Sequence, residues 1–177
     1  MGFHRIIGIG VVVAVLVGAA FAAGVAAGEK DNRKFVAVLS GAEEVPARDT
    51  QAHGLAHFRL IEDGTMIAFK LKVANIQNVF GAHIHCAAEG VNGPIGVTLF
   101  GGPVGGGRFS GPLANGVIAA PDAGNACGWA DLAAVISAMD AGATYVNVHT
   151  NDGVSPTNTG PGDFPGGEIR GQVQVQG

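Results

Sequence analysis

The sequence lacks the short motifs that mark the common catalytic sites. None of its serines lies in a Gly-x-Ser-x-Gly elbow. The glycine-rich stretches 101–103 and 105–107 lack the lysine and the flanking strand and helix of a phosphate-binding loop. No pair of carboxylates converges in an obvious way. We therefore expect a protein that is not an enzyme.

Charged residues are also scarce, at 14% of the chain, and the basic ones are scattered. Ten Lys and Arg stand against fourteen Asp and Glu, so the formal net charge is −4. Because no basic cluster tracks a nucleic-acid backbone, we exclude nucleic acid as a partner. The thirty glycines favour turns and tight loops over long helices.

The N-terminus contains the long hydrophobic run of the sequence. Residues 6–27 are apolar and uncharged, follow a short start that carries Arg5, and end in small residues. This pattern predicts a signal peptide over residues 1–27, cleaved after Ala22 or Ala27. The run is also long enough to remain as an uncleaved anchor, the only form in which we expect membrane attachment. In either case the domain at 34–177 is expected to be secreted, or to lie in the periplasm or cell envelope.

Only two cysteines are present, Cys86 and Cys127, and both lie in the part predicted to be exported. An even number of cysteines in an oxidising compartment favours a disulfide. The bridge would close a loop of about 40 residues, which the chain-entropy model values at roughly 4 kcal/mol. The alternative is a pair of buried free thiols.

Short segments of alternating apolar and polar residues recur between clusters of Gly, Pro, Asn and Asp. One helix is expected at 129–139, where apolar residues fall at helical spacing, and residues 101–128 are expected to be mostly loop. This pattern predicts a mostly β protein, an antiparallel sandwich or barrel with one short helix. The predicted strands are 35–39, 56–60, 67–73, 79–86, 95–100, 145–150 and 168–175, with a weak strand at 113–119.

Three of these strands carry polar residues on the face opposite their apolar side chains. Residues two apart on a strand share a face, so each strand contributes a polar pair. If the three strands are neighbours in one sheet, the pairs form one polar patch. The residues of this patch are His83, His85, Asn147, His149, Glu168 and Arg170.

Three roles are open for this patch. His83, His85 and His149 are suited to binding Cu or Zn through imidazole nitrogens. Arg170 is suited instead to holding a carboxylate or another anion. In a purely structural network, Glu168 and Arg170 pair with each other and the histidines bond to their neighbours.

The other candidate ligands are weaker. Cys86 directly follows His85, so on a regular strand it points away from the histidines and toward the core. His53 and His57 stand near the margin of a predicted strand and are expected to be ordinary surface residues. His4 belongs to the predicted signal segment.

Four separated motifs, in order, resemble the signature of the CHRD domain, which was first recognised in chordin. They are residues 39–46 (LSGAEEVP), 82–85 (AHIH), 145–150 (YVNVHT) and 165–172 (PGGEIRGQ). The resemblance runs from about residue 34 to residue 177. It implies an immunoglobulin-like β-barrel with faint similarity to Cu,Zn superoxide dismutase, and it implies no established activity.

The dismutase likeness implies that His83 and His85 resemble paired copper ligands, with His149 as a third. The bridging and zinc-binding histidines of that enzyme should follow in the next loop, but no histidine occurs between Cys86 and Val148. This departure argues against a dinuclear site and against dismutase activity. We interpret the chain as an exported CHRD-type binding or structural module whose partner is an extracellular or periplasmic protein or ligand. The alternative is a mononuclear Cu- or Zn-binding protein, capable of redox chemistry, that uses the three histidines.

Overall fold

The computed structural model of the protein describes residues 1–2 and 31–177. The predicted signal segment at 1–27 lies outside the described residues apart from its first two, and both predicted cleavage sites lie outside them. None of the helices in the described part has both the length and the apolar character needed to cross a membrane.

Nine β-strands and one α-helix are found between residues 31 and 177. The strands are β1 (Lys34–Ser40), β2 (His53–Ile61), β3 (Met66–Gln77), β4 (Val79–Cys86), β5 (Ile95–Gly101), β6 (Arg108–Ile118), β7 (Thr144–Thr150), β8 (Ile169–Gln172) and β9 (Gln174–Gln176). The helix α1 spans Leu132–Asp140 and lies between β6 and β7 in the chain.

The strands join one antiparallel sheet in the order β5-β4-β7-β8-β1-β2-β3-β6, and β9 also pairs with β1. The sheet curls into a nearly closed barrel around one apolar core. The helix and every strand except β9 contribute side chains to this core. This confirms the predicted mostly β, antiparallel sandwich or barrel with one short helix. Strands β1 to β3 are sequential neighbours, whereas β7 inserts between β4 and β8 and so brings distant parts of the chain together.

The hairpin of β2 and β3 shows how alternation assigns side chains to the two faces. Phe58 pairs with Phe69 inside the barrel, where their ring centroids lie 6.4 Å apart. His57 pairs with Lys70 one position away, and both remain exposed. Because the side-chain period of a strand is two, the sequence pattern is sufficient to tell the core face from the outer face here.

The helix begins three residues later than the sequence pattern predicted. Asp131 is its N-cap, and the Asp131 carboxylate accepts a hydrogen bond from the backbone N–H of Ala134. Trp129 therefore precedes the helix, and it packs against the core instead. The apolar side of the helix is buried as expected, through Leu132, Val135, Ile136 and Met139.

Two details of the strand prediction were wrong. The weak strand predicted at 113–119 is longer, because 108–118 form β6 and pair with β3 along its length, while 102–107 and 119–128 remain loop as expected. The Gly, Pro, Ala and Asn content of β6 hides it from a hydrophobic pattern, since much of this edge strand is exposed. The strand predicted at 168–175 is split at Val173 into β8, which pairs with β7, and β9, which pairs with β1.

The two cysteines form the predicted disulfide. Cys86 is the last residue of β4, and Cys127 lies in the loop before α1, with their Cα atoms 5.9 Å apart. The bridge therefore fastens the loop that follows β6 to the strand that carries His83 and His85. A disulfide of this kind is consistent with an oxidising compartment.

Candidate functional site

The three polar strands that the sequence singled out are neighbours in the sheet. His83 on β4 pairs with Asn147 on β7, and Asn147 in turn pairs with Arg170 on β8. The predicted polar patch therefore forms one continuous group. Most of it lies under loops rather than on the surface, and the buried members are His85, Asn147, His149, Glu168 and Arg170.

Three histidines meet at one end of this group. Each of His83, His85 and His149 offers one ring nitrogen, and these three nitrogens all lie within 4.8 Å of one another. The ring centroids of His83 and His149 are 4.9 Å apart, and the Nε2 atoms of His85 and His149 are 3.4 Å apart. The structure thus brings together the three candidate ligands that came from two separate motifs.

Backbone carbonyls fix the tautomers of two of these rings. His85 Nδ1 lies 2.9 Å from the carbonyl oxygen of Gly93, and His149 Nδ1 lies 3.0 Å from that of Pro165. A carbonyl oxygen only accepts hydrogen bonds, so each Nδ1 carries the hydrogen and donates it. In a neutral ring this leaves a lone pair on Nε2.

The two Nε2 lone pairs therefore face each other across 3.4 Å. Two acceptors at this distance repel unless a proton or a cation lies between them. Ligand nitrogens at about 2.0–2.1 Å from a tetrahedral ion stand about 3.3 Å apart, close to the spacing observed here. An imidazole whose Nδ1–H donates to a backbone carbonyl is also the usual form of a metal-binding histidine.

Burial keeps these rings neutral. Desolvation lowers the pKa of His85 to about 4 and that of His149 to about 4, despite the opposing effect of their hydrogen bonds to backbone carbonyls. Desolvation also lowers the pKa of His83, against the attraction of Asp122. Neutral imidazole is the form that binds a metal ion, so the cluster is ready to do so near pH 7.

His83 forms the solvent side of the cluster. It is only half-buried, whereas His85 and His149 are buried. Its Nδ1 atom is inaccessible and has no hydrogen-bond partner. The carboxylate of Asp122, which accepts a hydrogen bond from the Thr98 hydroxyl, adds a negative charge near this side. A cation would reach the cluster past His83.

Aromatic rings enclose the rest of the cluster. Phe80 lies beside His149, with 6.1 Å between the ring centroids. Tyr145 stacks on His85 at 4.8 Å and 12°, and the Arg170 guanidinium lies 3.8 Å from the centre of the same tyrosine ring. These contacts hold the His85 ring in place.

The pairing of Glu168 with Arg170, which was one of the open roles of the patch, is not formed. The Glu168 carboxylate accepts hydrogen bonds from the hydroxyls of Thr50 and Thr150 and from the backbone N–H of Gly162. Arg170 donates to the Asn92 side chain and the Val91 carbonyl. Although both residues share a face, different loops fold over them and satisfy them separately.

Glu44 is a member of the buried group that the sequence analysis missed. Its side chain is 6% exposed, and its Oε1 atom has no hydrogen-bond partner. Burial raises the pKa of Glu44 to about 7, although Arg170 and Arg48 act in the opposite direction. Gly167 closes over it so tightly that a Cβ there would lie 2.7 Å from Glu44 Oε1 and 2.4 Å from the Asn147 amide. The motif 39–46 includes Glu44, but nothing in the local sequence distinguishes it from the exposed Glu43 beside it.

The raised pKa of Glu44 predicts a pH-dependent effect of Glu44→Gln. The unfolded chain loses the Glu44 proton at its ordinary pKa of about 4.3, whereas the folded chain keeps that proton up to a pKa of about 7. The stability that this carboxyl contributes is therefore present below the unfolded pKa and lost as the pH rises through 7. We expect Glu44→Gln to be neutral at pH 4 and to stabilise the fold by about 3 kcal/mol at pH 8.

Urea denaturation at pH 4 and pH 8 measures this difference. Glu43→Gln is the matched control, because Glu43 is the adjacent residue and is exposed. Equal unfolding free energies for the Glu44 variant and the original chain at pH 8 would contradict the prediction.

Of the weaker candidates, the two histidines of β2 are ordinary surface residues, as expected. His53 and His57 are exposed on β2, away from the strands that carry the cluster. Cys86 is not available as a ligand, because its sulfur is bonded to Cys127.

Comparison with known proteins gives one family. The family model described as CHRD domain matches residues 35–173, which is most of the chain and all four polar motifs. No curated protein matches the chain.

Proposed function

The chain belongs to the CHRD domain family, and we propose that it acts outside the cytoplasm as a binding module that holds one Cu or Zn ion. The family suggests an extracellular binding or structural module and brings no specific activity with it. The disulfide between Cys86 and Cys127 is consistent with export. The metal is the part of the proposal that comes from the histidine cluster.

The observation that carries the proposal is the pair of converging Nε2 atoms. His85 and His149 both direct a lone pair into the same 3.4 Å gap, because both Nδ1–H groups are held by backbone carbonyls. An ion in this gap, shared with a nitrogen of His83, would replace a repulsion by two or three bonds. Imidazole ligands suit both Zn and Cu, so the cluster by itself favours neither.

The surroundings support a site for one ion with an open position. Among the described residues, the group of close metal-ligating side chains contains the three histidines and no carboxylate or thiol. Three protein ligands leave a fourth position of a tetrahedral ion, on the side of half-buried His83. A second ion would have no histidine to bridge it, since none lies between Cys86 and Val148. We therefore propose binding of a single ion rather than dismutase catalysis.

A second candidate is a purely structural module, and the hydrogen bonds of the buried group favour it. Glu168 accepts three hydrogen bonds, and Arg170 donates two and stacks on Tyr145. Such a network rigidifies a core without any ligand. In this case the histidines fill space over Tyr145 and bind no metal.

Metal titration distinguishes the two candidates. We expect the metal-free chain at pH 7 to take up about one Zn²⁺ or Cu²⁺ and no more, measured by calorimetry and by metal analysis after dialysis. His53→Ala is the control and should bind the same amount, because His53 is exposed and outside the cluster. A chain that remains metal-free after incubation with excess of each ion would leave only the structural candidate.

A further inference from the structure

The outer face of β1, β2 and β3 collects positive charge from three separate parts of the chain. Cross-strand pairing puts Lys34 beside Arg59, and His57 beside Lys70. Lys72 follows Lys70 on the same face of β3, and all five side chains are exposed. We call this group, Lys34, His57, Arg59, Lys70 and Lys72, the basic face.

Among the described residues, no acidic side chain forms an ion pair with the basic face. Within residues 31–177, the ion pairs closer than 4 Å all involve Arg33, which bonds Asp31 and Asp140. The Lys and Arg side chains of the basic face are therefore not held in ion pairs by the described residues, in a chain whose net charge is −4. The face ends at Arg59, which also lines a neighbouring hollow together with Asp31, Glu62 and Asp63.

The basic face is grooved rather than flat. A groove of about 380 Å³ runs between Lys34, Arg59 and Lys70, because the small side chain of Ala68 lies between longer ones. Gln176 on β9 lines the same groove beside Lys34. Asn115 on β6 is exposed, pairs with Lys70, and lines an adjoining hollow beside Lys70 and Lys72. The groove therefore has charged donors along its length and one amide at its side, with a second amide in the adjoining hollow.

We infer that this groove binds an extended acidic polysaccharide. The ammonium and guanidinium groups would contact the carboxylates or sulfates of successive sugars. The amides of Gln176 and Asn115 would hydrogen-bond sugar hydroxyls, since an amide both donates and accepts. This site lies on the outside of the barrel and shares no residue with the histidine cluster, so it does not depend on the proposed metal function.

Other polyanions fit the face less well. Single-stranded nucleic acids are bound by stacking bases on aromatic rings, but Phe58 and Phe69 of the groove are buried. An anionic membrane would require a flat or protruding surface with apolar side chains to insert. The exposed valines of this face, Val38 and Val117, lie apart with β2 and β3 between them.

Binding of two acidic polysaccharides by the full exported chain tests the inference. Short polygalacturonate chains supply carboxylates, dextran sulfate supplies sulfates, and uncharged dextran is the negative control. We expect binding of at least one acidic polymer in 50 mM salt that weakens about tenfold in 200 mM salt, because added ions screen exposed charges. Uncharged dextran should not bind.

Variants locate the site. Lys70→Gln should weaken binding about fivefold and Arg59→Gln with Lys70→Gln at least twentyfold, with circular dichroism unchanged because both side chains are exposed. Arg108→Gln is the matched control: it removes one positive charge from an exposed residue outside the groove and should have no effect. The inference is overturned if neither acidic polymer binds, if Arg108→Gln weakens binding as much as Lys70→Gln, or if phosphatidylglycerol vesicles or a single-stranded oligonucleotide bind more tightly.

Discussion

Replacing His83 and His85 together with alanine should lower the affinity of the chain for Zn²⁺ or Cu²⁺ by more than about 100-fold, because two of three ligands are removed. The barrel should remain folded, because the two substitutions do not change the backbone pairing of β4 with β5 and β7. Competition against a chromogenic chelator measures the affinity, and circular dichroism checks the fold. The matched control is the double variant His53→Ala with His57→Ala, which removes two exposed histidines from β2 and should bind the metal as the original chain does.

The same variant separates the two candidate functions. If the cluster is purely structural, no metal binds before or after the change, and the loss of the Tyr145 stacking and of the bond to Gly93 lowers the unfolding free energy. A stoichiometric ion that survives the double substitution would show that other residues hold it. A metal-free protein that is also indifferent to the substitution would eliminate both candidate functions.

Reduction of the Cys86–Cys127 disulfide should destabilise the fold by about 4 kcal/mol and lower the melting temperature by roughly 10 °C. The physical reason is that the bridge lowers the conformational entropy of the unfolded chain, because it joins two residues separated by 41 positions. The melt should be recorded with and without a reductant, after removal of metal by a chelator so that ligand loss does not contribute.

A variant with Cys86→Ala and Cys127→Ala is the control for the reductant. It should melt at the lower temperature in both conditions, because it has no bridge to break. The prediction fails if both thiols of the untreated protein react with an alkylating agent, or if the melting temperature of the original chain is unaffected by the reductant.

The strands with strict alternation were predictable, and so was the shared facing of the histidines. In β4 and β7 the polar and apolar positions follow a period of two, and residue identity alone determines which face each side chain occupies. What the pattern did not contain was the adjacency of β4, β7 and β8. That adjacency is a product of long-range pairing, with His85 and His149 separated by 64 residues.

Features that depend on pairing between distant segments were missed. Glu44 joins the buried group because its turn packs under Gly167, and no local pattern encodes this contact. The basic face was missed for a similar reason. Its charges come from three strands, so the sequence contains no basic run, and the exclusion of nucleic acid rested on that absence. Strand β6 was underestimated because its stability comes from its hydrogen bonds to β3 rather than from buried side chains.

The position of Tyr145 has a practical consequence. It is the sole tyrosine of the chain, and one of its faces is stacked on His85. Its hydroxyl also exchanges hydrogen bonds with Gly93, the residue whose carbonyl orients the His85 ring. We therefore expect the ultraviolet absorbance of this phenol to respond to changes at His85 without any added label. The protein contains its own optical reporter, located next to one of its proposed metal ligands.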